Sequence, residues 1–249
     1  MKRIKLKILS TKVLSRETID KASLIDLEID ELPFITTEPI KTDELKSNLK
    51  SFLQQNITAV FTSKNAVQAF DQIANGNVPW KIFCIGQATK KLASKIFGEE
   101  KISGVADNAA VLSEVILQED ATIAIGIKKV IFFCGKQRRD ELPNKLRDKG
   151  LEVEEIIVYE TLETPQKISR KSYDGILFFS PSAVNSFFSL NKINELMQIF
   201  VIGKTTADAI QQHTNKELII AEIPGEENMI DLVISHFSTT KTVKHAIEE

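Results

Sequence analysis

The chain's 249 residues are enough for one large domain or two of about 120, and with 43% of them hydrophobic there is apolar side chain for a real core. A formal net charge of −2, with Lys and Arg spread along the whole length, gives no nucleic-acid footprint. No apolar run approaches the roughly 20 residues that a membrane span needs.

Taken in chain order, MKRIKLKILS alternates basic and apolar residues, which suits a first strand better than the continuous apolar segment of a signal peptide. LIDLEIDE is an acidic strand-like segment, and LPFITTEPI (Leu32–Ile40) after it is extended and closed by proline, which holds the preceding residue in β or polyproline geometry. AVFTS is a short continuous apolar run, as expected of a strand covered on both faces. Asn65–Ala74 carries apolar residues at helical spacing. IFCIG and IFFCG are further strands; they hold Cys84 and Cys134, which read as buried thiols of a reducing compartment. GLEVEEIIV then leads into a second extended stretch, VYETLETPQ (Val158–Gln166). GILFFS predicts a strand, Ala183–Leu190 a helix, and STTKTVKHAIEE a frayed polar tail. His213, His236 and His245 are scattered without ligand spacing, so no metal site is expected.

FVIGKTTADAI (Phe200–Ile210) ends a strand in Gly-Lys-Thr, the tail of a nucleotide-binding P-loop. That motif needs another glycine five residues before the Gly-Lys pair, where this chain has Gln198, so the NTPase reading fails. What survives is a glycine and two hydroxyl residues at a helix N-terminus, a place that favours an anion. The plainer reading is that Thr205 or Thr206 caps its helix.

The chain also repeats itself. TSKNAVQAF and IFCIGQAT align without a gap on FSPSAVNSF and IFVIGKTT at an offset of 117 residues. Ser63, Ala66, Val67 and Phe70 meet Ser180, Ala183, Val184 and Phe187, while Ile82, Phe83, Ile85, Gly86 and Thr89 meet Ile199, Phe200, Ile202, Gly203 and Thr206. A looser match joins KLKILSTK to KVIFFCGK. Alternating strands and helices imply parallel sheets with right-handed crossovers. The expected fold is α/β: two doubly wound parallel-sheet domains from an internal duplication, joined by a two-stranded β connector. The first domain is expected to be discontinuous, residues 1–35 plus 165–249, with 40–158 inserted and connectors at 33–40 and 158–166.

Ligands of α/β sheets bind beyond the carboxyl ends of the strands. Those ends are read as Ser10-Thr11, Thr62-Ser63-Lys64-Asn65, Gln87-Ala88-Thr89, Gly135-Lys136-Gln137, Ser180-Pro181-Ser182 and Lys204-Thr205-Thr206. Hydroxyls, amides, lysines and helix N-termini accept anions but contain no evident general base. Small polar residues there are also ordinary turn chemistry. Their duplication favours a polyanion cleft.

VFTSKNAV, CIGQAT, the stretch from Cys134 to Pro165, FFSPSAVNSFF and VIGKTTADAI, in that order, resemble uroporphyrinogen-III synthases from about Ser10 to Leu232. STKVLS is less faithful, since the family often shows Thr-Arg-Pro there. The resemblance implies a cofactor-free cytoplasmic enzyme of haem biosynthesis, expected to be monomeric. It would close linear hydroxymethylbilane to a macrocycle with inversion of ring D and loss of water. It also implies Tyr159 as the residue assisting departure of the hydroxyl, unless that ring is only a packed strand aromatic. Thr62, Ser63, Lys64, Asn65, Thr89, Gly135, Arg139, Ser180, Ser182, Gly203, Thr205 and Thr206 would bind the substrate. Arg139 could instead pair with Asp140 or Glu141 on its own helix. The alternative is a two-domain module that closes on a small anion without chemistry.

Overall fold

The computed structural model describes residues 6–24, 27–74, 77–122, 128–168 and 173–247; residues 1–5 of the expected first strand lie outside these. The described elements begin with β1 (Leu6–Ser10), α1 (Arg16–Ser23), β2 (Leu27–Glu31) and β3 (Ile35–Pro39). They continue through α2 (Asp43–Phe52), β4 (Thr58–Phe61), α3 (Lys64–Ala74), β5 (Lys81–Ile85), α4 (Gln87–Phe97), β6 (Ile102–Ala106) and α5 (Ala109–Thr122). Next come β7 (Lys129–Gly135), α6 (Glu141–Asp148) and β8 (Glu152–Glu163). The last are β9 (Gly175–Phe178), α7 (Pro181–Leu190), β10 (Gln198–Val201), α8 (Lys204–Gln211), β11 (Ile219–Ile220) and α9 (Glu226–Ile247).

Two compact units divide the chain, one of Met1–Thr36 with Leu162–Glu249 and one of Thr37–Thr161. The chain passes from one to the other within β3 and within β8. The second connector is therefore no separate element, because GLEVEEIIV and the Tyr-Glu-Thr stretch form one strand, β8. Ile40 N donates to Val158 O at one end of β3 and Thr164 N to Phe34 O at the other, so β3 and β8 run antiparallel.

In the first unit the sheet order is β11-β10-β9-β1-β2, and its paired strands are parallel. Successive residues alternate between its two faces. Leu9, Ile176, Phe178, Ile199 and Val201 pack with α7 and α8 on one side, Ile8, Leu177 and Phe200 with α9 on the other. The second unit has the order β3-β8-β7-β4-β5-β6, with β8 through β6 parallel. One face there gathers Phe61, Phe70, Trp80, Phe97 and Phe133, with Phe61 and Phe133 stacked at 5.0 Å. The other carries Val60, Phe83, Phe132, Leu142 and Leu146. Burial on both faces is why these strands read as unbroken apolar runs.

The repeat has a structural counterpart. β4 and β9 take matching residues, as do β5 and β10, and α3 and α7 begin at matching positions. With β9 set on β4, the order β11-β10-β9-β1-β2 becomes β6-β5-β4-β7-β8, so β1 corresponds to β7, as the looser match suggested. Each sheet thus reverses strand order beside β4 and β9, where α/β sheets place ligands.

One expectation is overturned. Backbone 226–247 is a single helix, so STTKTVKHAIEE is no frayed coil up to Ile247; residues 248–249 lie outside the description. The segment has no Gly or Pro to stop a helix already propagating from Glu226.

Candidate functional site

In the second unit the site is built around Tyr159. β8 pairs with β7 residue for residue up to Cys134–Ile157; the next pair is Gly135–Tyr159, so Val158 is an extra residue. A one-residue bulge of this kind re-aims the side chains that follow it. Val158 and Tyr159, though consecutive, both pack against the aromatic cluster. The ring also lies over Gly135: a Cβ there would come within 2.5 Å of Tyr159 Cζ and 2.8 Å of its Oη.

The Tyr159 hydroxyl lies 3.2 Å from Ser63 Oγ, which also accepts from Ala66 N at 3.2 Å and so caps α3. Thr62, Gly135, Arg139 and Tyr159 line one concavity of about 320 Å³, together with Asn108 and Arg138. Asn65 lines a smaller one of about 110 Å³ on another side of Tyr159, with Glu38 and Gln72. Lys64 is exposed on the first turn of α3 and enters neither.

The loop after β7 is tied to β8 on both sides of the ring. Lys136 N donates to Tyr159 O at 2.9 Å, and Thr161 N donates to Gln137 Oε1 at 3.2 Å. Arg138 Nε donates to Glu155, which also takes Arg147 Nη2 at 2.7 Å. The hydrogen bond from Arg138 pulls the Glu155 carboxyl below its ordinary value, against the effect of burial, with Arg147 assisting. Neither expected partner of Arg139 is taken by it. Arg138 holds Asp140 at 3.4 Å, and among the described residues Arg139 makes no ion pair. Arg139 is exposed and lines the concavity.

The two Gly-x-x-Thr loops share a glycine cap and a buried threonine. Gly86 caps α4 and Gly203 caps α8, and in neither does a side chain accept from the first-turn amides. Gly86 has φ +79°, a left-handed conformation that suits glycine, whereas Gly203, at φ 168°, is extended backbone. Thr89 and Thr206 are both buried at the third helical position. Neither Thr205 nor Thr206 is the N-cap, which corrects the capping reading: glycine holds the cap position and Thr206 turns into the core. Thr205 is exposed. The serine loops differ. Ser180 Oγ accepts from Ala183 N at 3.2 Å, as Ser63 does from Ala66 N in α3, and Ser182 is half-buried at the second helical position. Such serines satisfy a helix amide, whereas the glycine caps leave theirs open to an anion.

Ser10 and Thr11 are fully buried; their hydroxyls donate to Lys12 O and Leu177 O, each at 2.7 Å. Lys12 reaches Glu226 at 2.5 Å and stands 5.2 Å over the Phe179 ring. Burial opposes ionisation of Glu226, but bonds from Lys12 and Ser15 outweigh it and lower its pKa. Tyr173 is buried and donates to Asp30 at 2.9 Å; burial, with Asp30 beside it, pushes its phenol up to about 12. The sequence reading missed the loop after β6, Asp107 and Asn108, which lines the Tyr159 concavity. Its strand, ISGVA, is too short of apolar residues to announce a strand end.

A family model described as uroporphyrinogen-III synthase HemD matches residues 18–231. The uroporphyrinogen-III synthase of Saccharomyces cerevisiae is 23% identical over 172 residues, 61% of this chain and 62% of that protein, so the match spans about three fifths of the yeast protein's length. Among solved structures, the Helicobacter pylori uroporphyrinogen-III synthetase is similar with TM-score 0.61 and 18% identity, over 92% of this chain and 99% of that one. A mutant Thermus thermophilus uroporphyrinogen III synthase is similar with TM-score 0.57 and 13% identity, over 95% and 99%. At such identities the structures speak for the fold, and the family match speaks for kinship. The chain belongs to the uroporphyrinogen-III synthase family.

Proposed function

We propose that this chain closes hydroxymethylbilane to uroporphyrinogen III. The observation that carries the reading is the family match over residues 18–231. The polar corner at Tyr159 supports it chemically.

In this reading the Tyr159 hydroxyl donates a hydrogen bond to the departing hydroxyl of the substrate. The C–O bond breaks, the oxygen takes up a proton and leaves as water, and the adjoining pyrrole nitrogen supplies the electrons and gives up its N–H proton, leaving an azafulvene. The substituted carbon of ring D attacks that azafulvene to give a spiro intermediate. Fragmentation and re-closure at the other carbon of ring D invert it, and loss of a proton restores the pyrrole. The chain's contribution is largely conformational: it holds the linear molecule so that the inverted closure outruns the unassisted one. The unassisted closure gives the symmetric type I isomer. The polycarboxylate substrate is met by local donors rather than net charge: Arg139, Thr62, Lys64 and Asn65 in one unit, Ser182 and Thr205 with the open amides after Gly203 in the other. Thr89 and Thr206 act through the placement of their loops, and Ser63 and Ser180 through their helix caps. We place the enzyme in the cytoplasm as a monomer. Two buried thiols fit a reducing compartment, and among the described residues no helix is long and apolar enough to cross a membrane.

Tyr159→Phe tests the chemistry. The ring and its packing stay, so folding is nearly unaffected, while turnover falls on the order of 10²-fold and type I product accumulates. Wild-type rate and isomer ratio in a folded variant would reduce Tyr159 to a packed aromatic. A protein that binds hydroxymethylbilane without consuming it would instead be a binding module.

A further inference from the structure

We propose that Gly135 and the extra residue Val158 are positioning elements for the Tyr159 phenol, an inference that rests on the proposed role of Tyr159. In a regular strand, Val158 and Tyr159 would face opposite sides of the sheet. The register shift between Cys134 and Gly135 removes that alternation, and both side chains join the aromatic cluster on the α3 side. Tyr159 then reaches Ser63 at 3.2 Å across the sheet edge.

The turned ring needs room, and Gly135 provides it. Any Cβ at that position would meet Cζ at 2.5 Å, Cε2 at 2.8 Å and Oη at 2.8 Å, closer than real Cβ contacts come. Lys136 N holds Tyr159 O at 2.9 Å, Gln137 holds Thr161 N at 3.2 Å, and Arg138 is anchored on Glu155 in the same strand. With both backbones tied, the ring can answer an added Cβ only by turning about its own side-chain bonds, which takes the phenol off Ser63. The glycine is therefore a seat for the phenol, in a frame that fixes both strands. Its place on the substrate side of the sheet is secondary to this. A displacement of about 1 Å at a reacting group can cost on the order of 10²-fold in rate, so the seat bears on turnover more than on binding.

The chain has only two tyrosines, which makes the position of this ring directly readable. With tyrosine labelled at 13Cζ, the full-length protein gives two resonances, and Tyr159→Phe identifies one by deleting it. In Gly135→Ala the Tyr159 resonance shifts while that of Tyr173, buried in the other unit, stays, and the fluorescence of Trp80, the chain's one tryptophan and buried in the same unit as Gly135, reports that this unit is folded. Steady-state turnover falls at least about tenfold with KM changed less than about twofold, and in the Tyr159→Phe background Gly135→Ala costs less than about twofold. An unshifted Tyr159 resonance, or losses that multiply across the two variants, would overturn the positioning role and leave that of the phenol standing. Wild-type turnover in Tyr159→Phe would remove the role of the phenol instead, and the resonance would still decide whether Gly135 seats the ring. Should Gly135→Ala fail to fold, Gly135→Ala/Tyr159→Ala must fold as well as Tyr159→Ala alone. A double variant that stays unfolded beside a folded Tyr159→Ala contradicts the seat.

Discussion

Burial pushes the thiols of Cys84 and Cys134 up to about 12, so the nucleophilic thiolate is scarce at neutral pH. Both should resist a maleimide in the native protein at pH 7 and react fully once it is unfolded; rapid native labelling of either would contradict their burial. Glu155 gives the pH-dependent counterpart. Its folded-state pKa lies below the ordinary 4.5, so its contribution is present above that value and is lost as pH falls through the lower folded value. Glu155→Gln should therefore cost about 1–2 kcal/mol at pH 7, the scale of hydrogen bonds to a charged group, and progressively less below about pH 4.5. Chemical denaturation of both proteins at pH 7 and pH 3 checks this; a difference independent of pH would contradict it. At this scale the sequence was partly legible. The two cysteines sit in apolar runs, and their burial follows directly. The adjacent arginines were not separable by sequence: among the described residues Arg138 makes the ion pairs and Arg139 makes none, because the turn after Gly135 decides which one meets β8.

Ser63 and Ser180 stand 117 residues apart and make the same cap, to Ala66 N and to Ala183 N, each at 3.2 Å. Ser180→Ala should cost about 0.5–2 kcal/mol of stability, the usual worth of such a cap, read by thermal or chemical melting. No loss of stability would mean that the cap contributes nothing to α7. Ser63→Ala should cost a similar amount and in addition slow turnover, because its hydroxyl also meets Tyr159. At the element scale the repeat was the strongest signal, since identical apolar spacing demands equivalent strands and helices. β4 and β9, and the starts of α3 and α7, fall where it puts them. The merger of the second connector into β8 was less visible, because proline marks only where an extended stretch ends. The bulge at Val158 left no local mark: a register shift arises from pairing with β7, and periodicity within β8 alone does not carry it.

Each unit buries its own core on both faces of its own sheet, so neither needs the other to bury apolar surface. Residues 37–161 produced alone should fold and unfold cooperatively, as seen by a sigmoidal far-UV transition and dispersed amide resonances; a fragment without either would contradict two self-contained units. At the scale of the molecule, the α/β class with parallel sheets was legible because strands buried on both faces cannot alternate in polarity. The proposed activity was legible only through resemblance: hydroxyls, amides and helix N-termini specify a polyanion, not a reaction. The claim that this chain makes the inverted macrocycle is tested most directly by supplying hydroxymethylbilane, oxidising the product and resolving the porphyrin isomers by chromatography. The account predicts that uroporphyrinogen III replaces the type I isomer as protein is added, until it is nearly the sole product. Type I product in unchanged proportion at every protein concentration would contradict it.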